Sequence, residues 1–224
     1  MKLSIVIPVL NEEGRLSELF GELAPLRHRG AEVIVVDGGS TDGTVAAAER
    51  AGVPVCRTPP GRAMQMNAGA RQARGDILLF LHADTIPPPR ADQLIFAALS
   101  HGPHCWGRFD VIIAGRAWML RVVAQLMNLR SRLTAIATGD QAIFVTREAF
   151  EAVDGFPDQL LMEDIEISRR LRRRSRPICL SETVTTSGRR WDRDGVWPTI
   201  LLMWWIRLAY WRGTPASKLA KVYR

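Results

Sequence analysis

The sequence predicts an α/β fold: a mostly parallel central sheet flanked by helices, with a helical appendage after residue 195. Three observations predict it. Apolar, β-branched runs alternate with segments of helical period through the first half. Those runs are continuously apolar, as strands covered on both faces are. Three of them end in polar residues, which gathers chemistry along one edge of the sheet, the edge where such folds bind ligands.

In order, "KLSIVIPV" reads as a buried strand. "NEEGRLSELFGELAPL" follows, with Leu16, Leu19, Phe20 and Leu23 at helical spacing. "AEVIVVDGG" is a second strand, and "STDGTVAAAERAG" is a helix opened by capping residues and stopped at Gly52. "VPVCRT" is a short strand, "GRAMQMNAGARQARG" a helix ending at Gly75, and "DILLFLHAD" a fourth strand. "PRADQLIFAALSHG" is a helix with Pro89 near its start. The second half is less regular. "WGRFDVII" reads as a strand and "RAWMLRVVAQLMNLRSRL" as an amphipathic helix. "GDQAIFVTREAFEAVDGF" gives a loop, a strand and a short helix. "MEDIEISRRLRRRS" is a helix with an acidic start and a basic end, the polarity its dipole favours. "ICLSETVTTSG" is a strand or a hairpin, residues 189–191 fall in a loop, and "GVWPTILLMWWIRLAYWRG" is a strongly apolar helix. No linker interrupts the chain, so residues 1–195 are expected to form one domain and 196–224 an amphipathic helical appendage.

The 224 residues are 47% apolar and 24% charged, enough for a sizeable core and too apolar for disorder. Cys56, Cys105 and Cys179 have neither paired nor metal-ligand spacing and read as reduced core thiols. Residues 1–9 carry one lysine and an apolar run broken at Pro8, unlike a signal peptide, so a cytoplasmic location is expected. The net charge of +7 is uneven. Residues 1–112 hold 11 basic and 12 acidic side chains (−1), and residues 113–224 hold 19 and 11 (+8). The basic half is expected to meet something acidic: nucleic acid, a phosphorylated ligand or a membrane face.

Four groups of residues carry candidate chemistry. Asp37 stands at a strand end, before two glycines that let a ligand approach and a helix with free N–H groups; the same stretch reads equally as an ordinary βα turn. Asp84 offers a hard cation carboxylate oxygen at another strand tip, or caps the next helix. His82 shares its side if the strand persists that far; it can ligate the metal, tilting the preference from magnesium toward manganese, donate to a ribose hydroxyl, or merely pack. Glu163 and Asp164 open a helix, where acids suit the dipole, and one of them can serve as a general base for an attacking hydroxyl. Asp140, in a glycine-containing loop, can position an acceptor. The "RRLRRRSR" run reads mostly as a solvated face, whereas Arg189, Arg190 and Trp191 join two cations to an aromatic and can clamp a leaving phosphate.

Taken together these segments resemble the inverting family-2 glycosyltransferases of the GT-A fold. "SIVIPVLNEE" resembles their opening strand and nucleotide loop, and "VVDGGSTDGT" their "DDGSTD" segment. "GRAMQMNAGARQARGDILLFLHADT" is similar to the helix and strand that lead to the Asp-X-Asp metal site. "GDQAIFVTREAFEAVDGFP" and "MEDIEISRRLRR" resemble the acceptor segment and the Glu-Asp base motif, and "GRRW" the terminal Gln/Arg-X-X-Arg-Trp element. The resemblance runs in order to residue 191; its specificity lies in the co-occurrence, not in any one motif.

The resemblance implies that Pro8, Leu10, Glu12 and Asp37 hold the base and ribose of a UDP- or GDP-sugar. It implies Arg62 near the base or phosphates and Asp76 on the ribose side of its strand. It implies Mg²⁺ or Mn²⁺ on the diphosphate, held by Asp84 with His82 beside it. Asp164 is the implied base, with Glu163 next to it, while Arg190 and Trp191 close over the diphosphate and the acceptor. Thus Asp37, Asp84 and Asp164 are expected around one cation-bridged pyrophosphate. Two departures matter: His82 stands where the metal motif has its first aspartate, and Arg189 replaces the glutamine spacing of processive synthases.

"WPTILLMWWIRLAYW" holds four tryptophans and a single charge, and falls short of the about 20 apolar residues that span a bilayer. Either it packs on the domain or on a second copy of the chain, giving a homodimer, or it lies in a membrane interface through 196–212 with Arg207, Arg212, Lys218 and Lys221 toward anionic lipid. The acceptor is then a hydroxyl on a lipid or a small molecule. Two rivals remain. A sugar-nucleotide nucleotidyltransferase shares the strand–helix pattern, but the acidic "LNEEG" replaces its phosphate loop. A basic nucleic-acid-binding domain suits the arginines, but acids at the strand tips repel a phosphate backbone, so nucleic acid is not expected as a partner.

Overall fold

The structure, a computed structural model, describes residues 1–223. β1 (Leu3–Val9) leads to α1 (Glu13–His28), β2 (Glu32–Asp37), α2 (Thr44–Arg50), β3 (Val55–Arg57), α3 (Arg62–Gln72) and β4 (Ile77–Phe80). β5 (Thr85–Ile86), α4 (Ala91–Ser100), β6 (Trp106–Ala114) and α5 (Met119–Thr134) follow. A 3₁₀ turn at Gly139–Gln141 precedes β7 (Phe144–Thr146), α6 (Arg147–Glu151), α7 (Glu163–Leu171) and β8 (Ile178–Ser187). Three helices complete the chain: α8 (Arg189–Asp194), α9 (Val196–Trp211) and α10 (Ala216–Tyr223).

All eight strands join one sheet in the order β3-β2-β1-β4-β7-β6-β8-β5. The first four are parallel neighbours, as the apolar runs predict. β7 enters antiparallel to β4 and β6, and β8 runs parallel to β6. The chain lays β1, β2 and β3 outward, then returns through α3 to set β4 on the other side of β1. That reversal leaves a crevice beyond the carboxyl ends of β1 and β4.

Alternation along β1 explains why its residues are apolar on both sides. Leu3, Ile5, Ile7 and Val9 enter one core with Leu16, Leu19 and Leu23 of α1 and Ala47 of α2. Val6 enters a second core with Ala63, Met66 and Ala70 of α3. There Phe80 stacks with Phe156 edge-on at 4.8 Å and with Phe150 at 5.2 Å. A third, small core of Leu161, Met162, Ile206 and Leu219 folds α9 and α10 back onto the start of α7.

Two local expectations are corrected, and of two alternatives for residues 178–187 one is selected. β4 stops at Phe80, and the Leu81 N–H makes the last backbone bond to β1, on the Val6 carbonyl. His82 to Asp84 therefore form a turn, closed by the Thr85 N–H on the His82 carbonyl at 3.1 Å, and strand alternation does not aim them. Residues 178–187 are one strand and no hairpin, since they pair with β6 along its length. Residues 189–191 lie in α8 and not in a loop: Ser187 Oγ accepts the Arg189 N–H at 3.2 Å, and Gly195, at φ 84°, ends the helix.

Gly69 lets α3 lie close to the sheet. A Cβ there would crowd Val6 and come within 2.8 Å of Val36. Overpacking of this kind costs about 1–3 kcal/mol, against ~1 kcal/mol that alanine returns as a helix former. Gly69→Ala is expected to lower the urea midpoint without changing the m-value.

Candidate active site

A cavity of about 320 Å³ opens beyond β4. Four carboxylates line it, Asp84, Asp140, Glu163 and Asp164, with the His82 imidazole. Arg62, Arg190 and Arg207 line it too. Val123 and Met127 of α5, and Ile200, Met203 and Trp204 of α9, supply apolar wall.

Asp164 is the most firmly held of the acids. The backbone at Met162 takes a left-handed turn (φ 66°) and starts α7, putting Glu163 and Asp164 in its first turn. Asp164 Oδ2 accepts the Gly139 N–H at 3.1 Å and Oδ1 the Ile165 N–H at 2.7 Å. Burial pushes the Asp164 pKa up; the two N–H groups oppose it and the Asp140 charge adds to it. Glu163 is 6% exposed, and burial, then the Asp164 charge, pushes its pKa up, against the pull of Arg62.

The Gly139 turn also seats the imidazole. A Cβ at Gly139 would run into the His82 ring, so glycine lets the turn lie against it. His82 Nδ1 is 3.4 Å from Asp140 Oδ1. Desolvation works against ionised Asp140, but His82, then Arg62 and Arg130, outweigh it and hold its carboxyl below the usual range. At the β4 tip, Arg189 Nη2 lies 3.5 Å from Asp84 Oδ2 and 3.3 Å from Glu12 Oε2, tying the end of β1 to the cavity. Arg190 donates through Nη2 to the Tyr223 carbonyl at 2.8 Å. Trp191 packs at the edge of the first core and lines the cavity.

Of the residues named from sequence, His82, Asp84, Asp140, Glu163, Asp164, Arg62, Arg190 and Trp191 share this cavity. Pro8, Leu10, Glu12 and Asp37 end the neighbouring strands or begin the loops beyond them, and do not line it. Of Asp37, Asp84 and Asp164, the last two line this cavity and Asp37 does not. Asp37 is buried, and its carboxylate accepts the Gly39 and Ser40 N–H groups at 3.1 and 3.0 Å, which closes its own turn. Gln65 steadies the same strand ends, donating to the Val9 and Val36 carbonyls at 2.8 Å each. Asp76 is corrected outright. It precedes β4 at the opposite, amino end, where it accepts the Lys2 N–H at 2.8 Å. That end is opposite the carboxyl ends of β1 and β4, beyond which the cavity opens. Sequence reasoning missed Gly139, Arg207 as a cavity residue, and Tyr223.

Among the described residues no three His, Cys, Asp or Glu side chains are grouped to cage an ion. The donors present do fit a divalent cation shared with a diphosphate. Asp84 and His82 line the same cavity, and a hard cation bound this way takes its remaining ligands from phosphate and water.

Residues 4–151 match the family described as Glycosyl transferase family 2. The chain is 35% identical over 149 residues to the undecaprenyl-phosphate 4-deoxy-4-formamido-L-arabinose transferase of Pseudomonas aeruginosa, across 61% of this chain and 44% of that protein. It thus spans less than half the length of that relative. It superposes on S. aureus TarS in complex with UDP-GlcNAc with a TM-score of 0.68 at 21% identity, covering 84% of this chain and 58% of the other. The glucosyl-3-phosphoglycerate synthase of Mycobacterium tuberculosis, in complex with Mn²⁺, UDP and glucosyl-3-phosphoglycerate, gives 0.60 at 23% identity, covering 81% and 70%. At such identities the two structures bear on the fold alone.

Glu163 makes no side-chain ion pair among the described residues, and its raised pKa makes its charge a cost to the folded state. Glu163→Gln is expected to raise the urea midpoint at neutral pH. The gain should shrink as pH falls through the raised folded-state value, and vanish below the ordinary glutamate pKa, where wild type is protonated in both states. Urea titrations at several pH values check this.

Proposed function

The chain belongs to glycosyl transferase family 2, and we propose that it moves a sugar from a nucleotide diphosphate donor to an acceptor hydroxyl by a single inverting displacement. One observation carries the proposal: Asp164, Asp84 and Arg190 line one cavity beyond the strand ends. Family membership sets aside the nucleotidyltransferase and nucleic-acid-binding alternatives.

In this reading the donor lies along the strand tips. Pro8, Leu10 and Glu12 serve the base and ribose, and Asp37 supports them through the turn it closes. Arg62 and Arg190 offset the diphosphate charge. Asp84, with His82 at hand, would hold a divalent cation, which would neutralise part of the phosphate charge. Asp164 takes the acceptor's hydroxyl proton. That oxygen bonds to the anomeric carbon while the carbon–oxygen bond to the diphosphate breaks, and the electron pair leaves with the diphosphate. The raised pKa of Asp164 suits a base, and Glu163 stands beside it as the second carboxyl. Charge on the departing phosphate grows toward the transition state, so Arg190 contributes most there. Asp140 and Trp191 frame the acceptor side.

The acceptor is read as lipid-borne. Trp118, just before α5, and Val122, Leu126, Leu129 and Leu133 of α5 are exposed, as are Trp197, Leu201, Trp204, Trp205, Leu208 and Trp211 of α9. Both helices also line the cavity, so two apolar stripes flank its chemistry. Arg121, Arg212, Lys218 and Lys221 are exposed on these helices and the segment after α9. Among the described residues no helix is long and apolar enough to cross a membrane. Helices with this make-up lie in the interface and bind anionic lipid. The undecaprenyl-phosphate in the name of the Pseudomonas relative supports a lipid-borne acceptor, and a peripheral place at the inner membrane face follows from this reading.

A thermal-shift series with UDP, GDP and their sugars, with and without Mn²⁺, tests the donor. Metal-dependent stabilisation by one nucleotide is expected, and stabilisation by none removes the reading. Asp164→Asn should bind that nucleotide as wild type does, yet transfer sugar about a hundredfold more slowly or worse, the scale of a lost general base. Wild-type turnover in that variant would take the role away from Asp164. The full chain should also float with phosphatidylglycerol vesicles, and the Leu129→Glu, Trp205→Glu double variant should sink. A wild-type chain that stays at the bottom of the gradient ends the membrane reading.

A further inference from the structure

The C-terminal helix α10 brings Tyr223 into the wall of the cavity that Asp164 lines. Tyr223 meets Arg190 twice. Its carbonyl accepts the Arg190 Nη2 hydrogen at 2.8 Å, and the guanidinium carbon sits 3.8 Å from the centre of its ring. Asp194, 3.7 Å from Arg190 Nε, completes the surroundings of that side chain. The segment is docked and not loose. Leu219 is 1% exposed in the third core with Leu161, Met162 and Ile206, and the Thr214 N–H bonds to the Ala209 carbonyl at 3.0 Å. Burial pushes the phenol pKa up, and the charges bearing on it are Arg62, Arg190, Asp140 and Asp164, the ionic groups of the active site. A protonated phenol among such groups is a hydrogen-bond donor. The family match ends at residue 151, far before this helix.

We propose that Tyr223 is a positioning residue of the active site: its ring and carbonyl hold Arg190 toward the donor's diphosphate, and its hydroxyl adds a donor among the catalytic charges. This rests on the glycosyltransferase reading for what Arg190 binds, but the grip on Arg190 stands by itself. A cation stacked on an aromatic face and hydrogen-bonded to the same residue loses rotamer freedom before substrate arrives, so less is lost on binding. The helical segment after residue 195 then belongs to the active site, and its docking through Leu219 completes the site.

The full chain carrying Tyr223→Ala or Tyr223→Phe tests this. Titration calorimetry with UDP and with GDP, in Mn²⁺, should show nucleotide binding about tenfold weaker in Tyr223→Ala, the scale of a desolvated cation–π contact. Tyr223→Phe keeps ring and carbonyl and should bind as wild type does, while its sugar transfer falls. Hydrogen–deuterium exchange across residues 189–194 should rise in Tyr223→Ala and be restored in Tyr223→Phe. Alanine binding as tightly as wild type, with unchanged exchange, would overturn the proposal. Alanine binding more tightly would also overturn it, since Tyr223 would then be blocking the site. If the wild-type chain binds neither nucleotide, the glycosyltransferase reading fails, and the exchange result alone decides whether Tyr223 holds Arg190.

Discussion

Four carboxylates cannot share one cavity unless cations are brought to them. Asp84 comes from the turn after β4, Asp140 from the 3₁₀ turn, and Glu163 and Asp164 from α7. The cations that face them come from elsewhere: Arg62 from the start of α3, Arg190 from α8 and Arg207 from α9. Arg130 of α5 adds a fourth from behind; desolvation lowers its pKa and the Asp164 charge opposes that. Buried charge without a counter-charge costs several kcal/mol as an order of magnitude, so these elements must arrive together. The uneven charge of the sequence lies outside this balance, since each half brings the site as many acids as arginines. The basic second half supplies Arg130, Arg190 and Arg207 to a site whose acids come from both halves.

The parallel half of the fold was legible because each of its strands is apolar on both sides and each helix is punctuated. β1 to β4 fall where the periodicity puts them, within a few residues. The β4 tip was less so. "LFLHADT" reads as one run, but pairing partners, not residue type, end a strand, and the antiparallel entry of β7 is a long-range event. α8 escaped for a similar reason. Its six residues carry no apolar period, and its start depends on a contact across the sheet, where the Gly188 N–H reaches the Ala114 carbonyl at 2.5 Å.

The site divides along the same line. Asp84, Glu163 and Asp164 stood out as acids at a strand tip and a helix start, beside plain readings as a cap and as dipole partners, and all three line the cavity. Asp37 shows the limit of that logic. Both of its readings, ligand contact and turn closure, need a carboxylate at that position, and its bonds to Gly39 and Ser40 realise the second. Asp76 came from the resemblance alone; it stands before the amino end of β4, away from the carboxyl ends where such sheets bind ligands. Tyr223 carried no signal at all, since a tyrosine near a run of apolar residues reads as packing. Only the third core, by folding α10 back, gives it a chemical neighbourhood.

That third core holds four buried side chains, against the long inventories of the other two. Local opening free energies follow buried apolar contact, so α9 and α10 can part from α7 while the sheet stays intact. One wall of the pocket can therefore breathe at a modest energetic cost. The sheet side of the pocket is held by the two large cores and the helical side by the small one, so its walls differ in how firmly they are fixed.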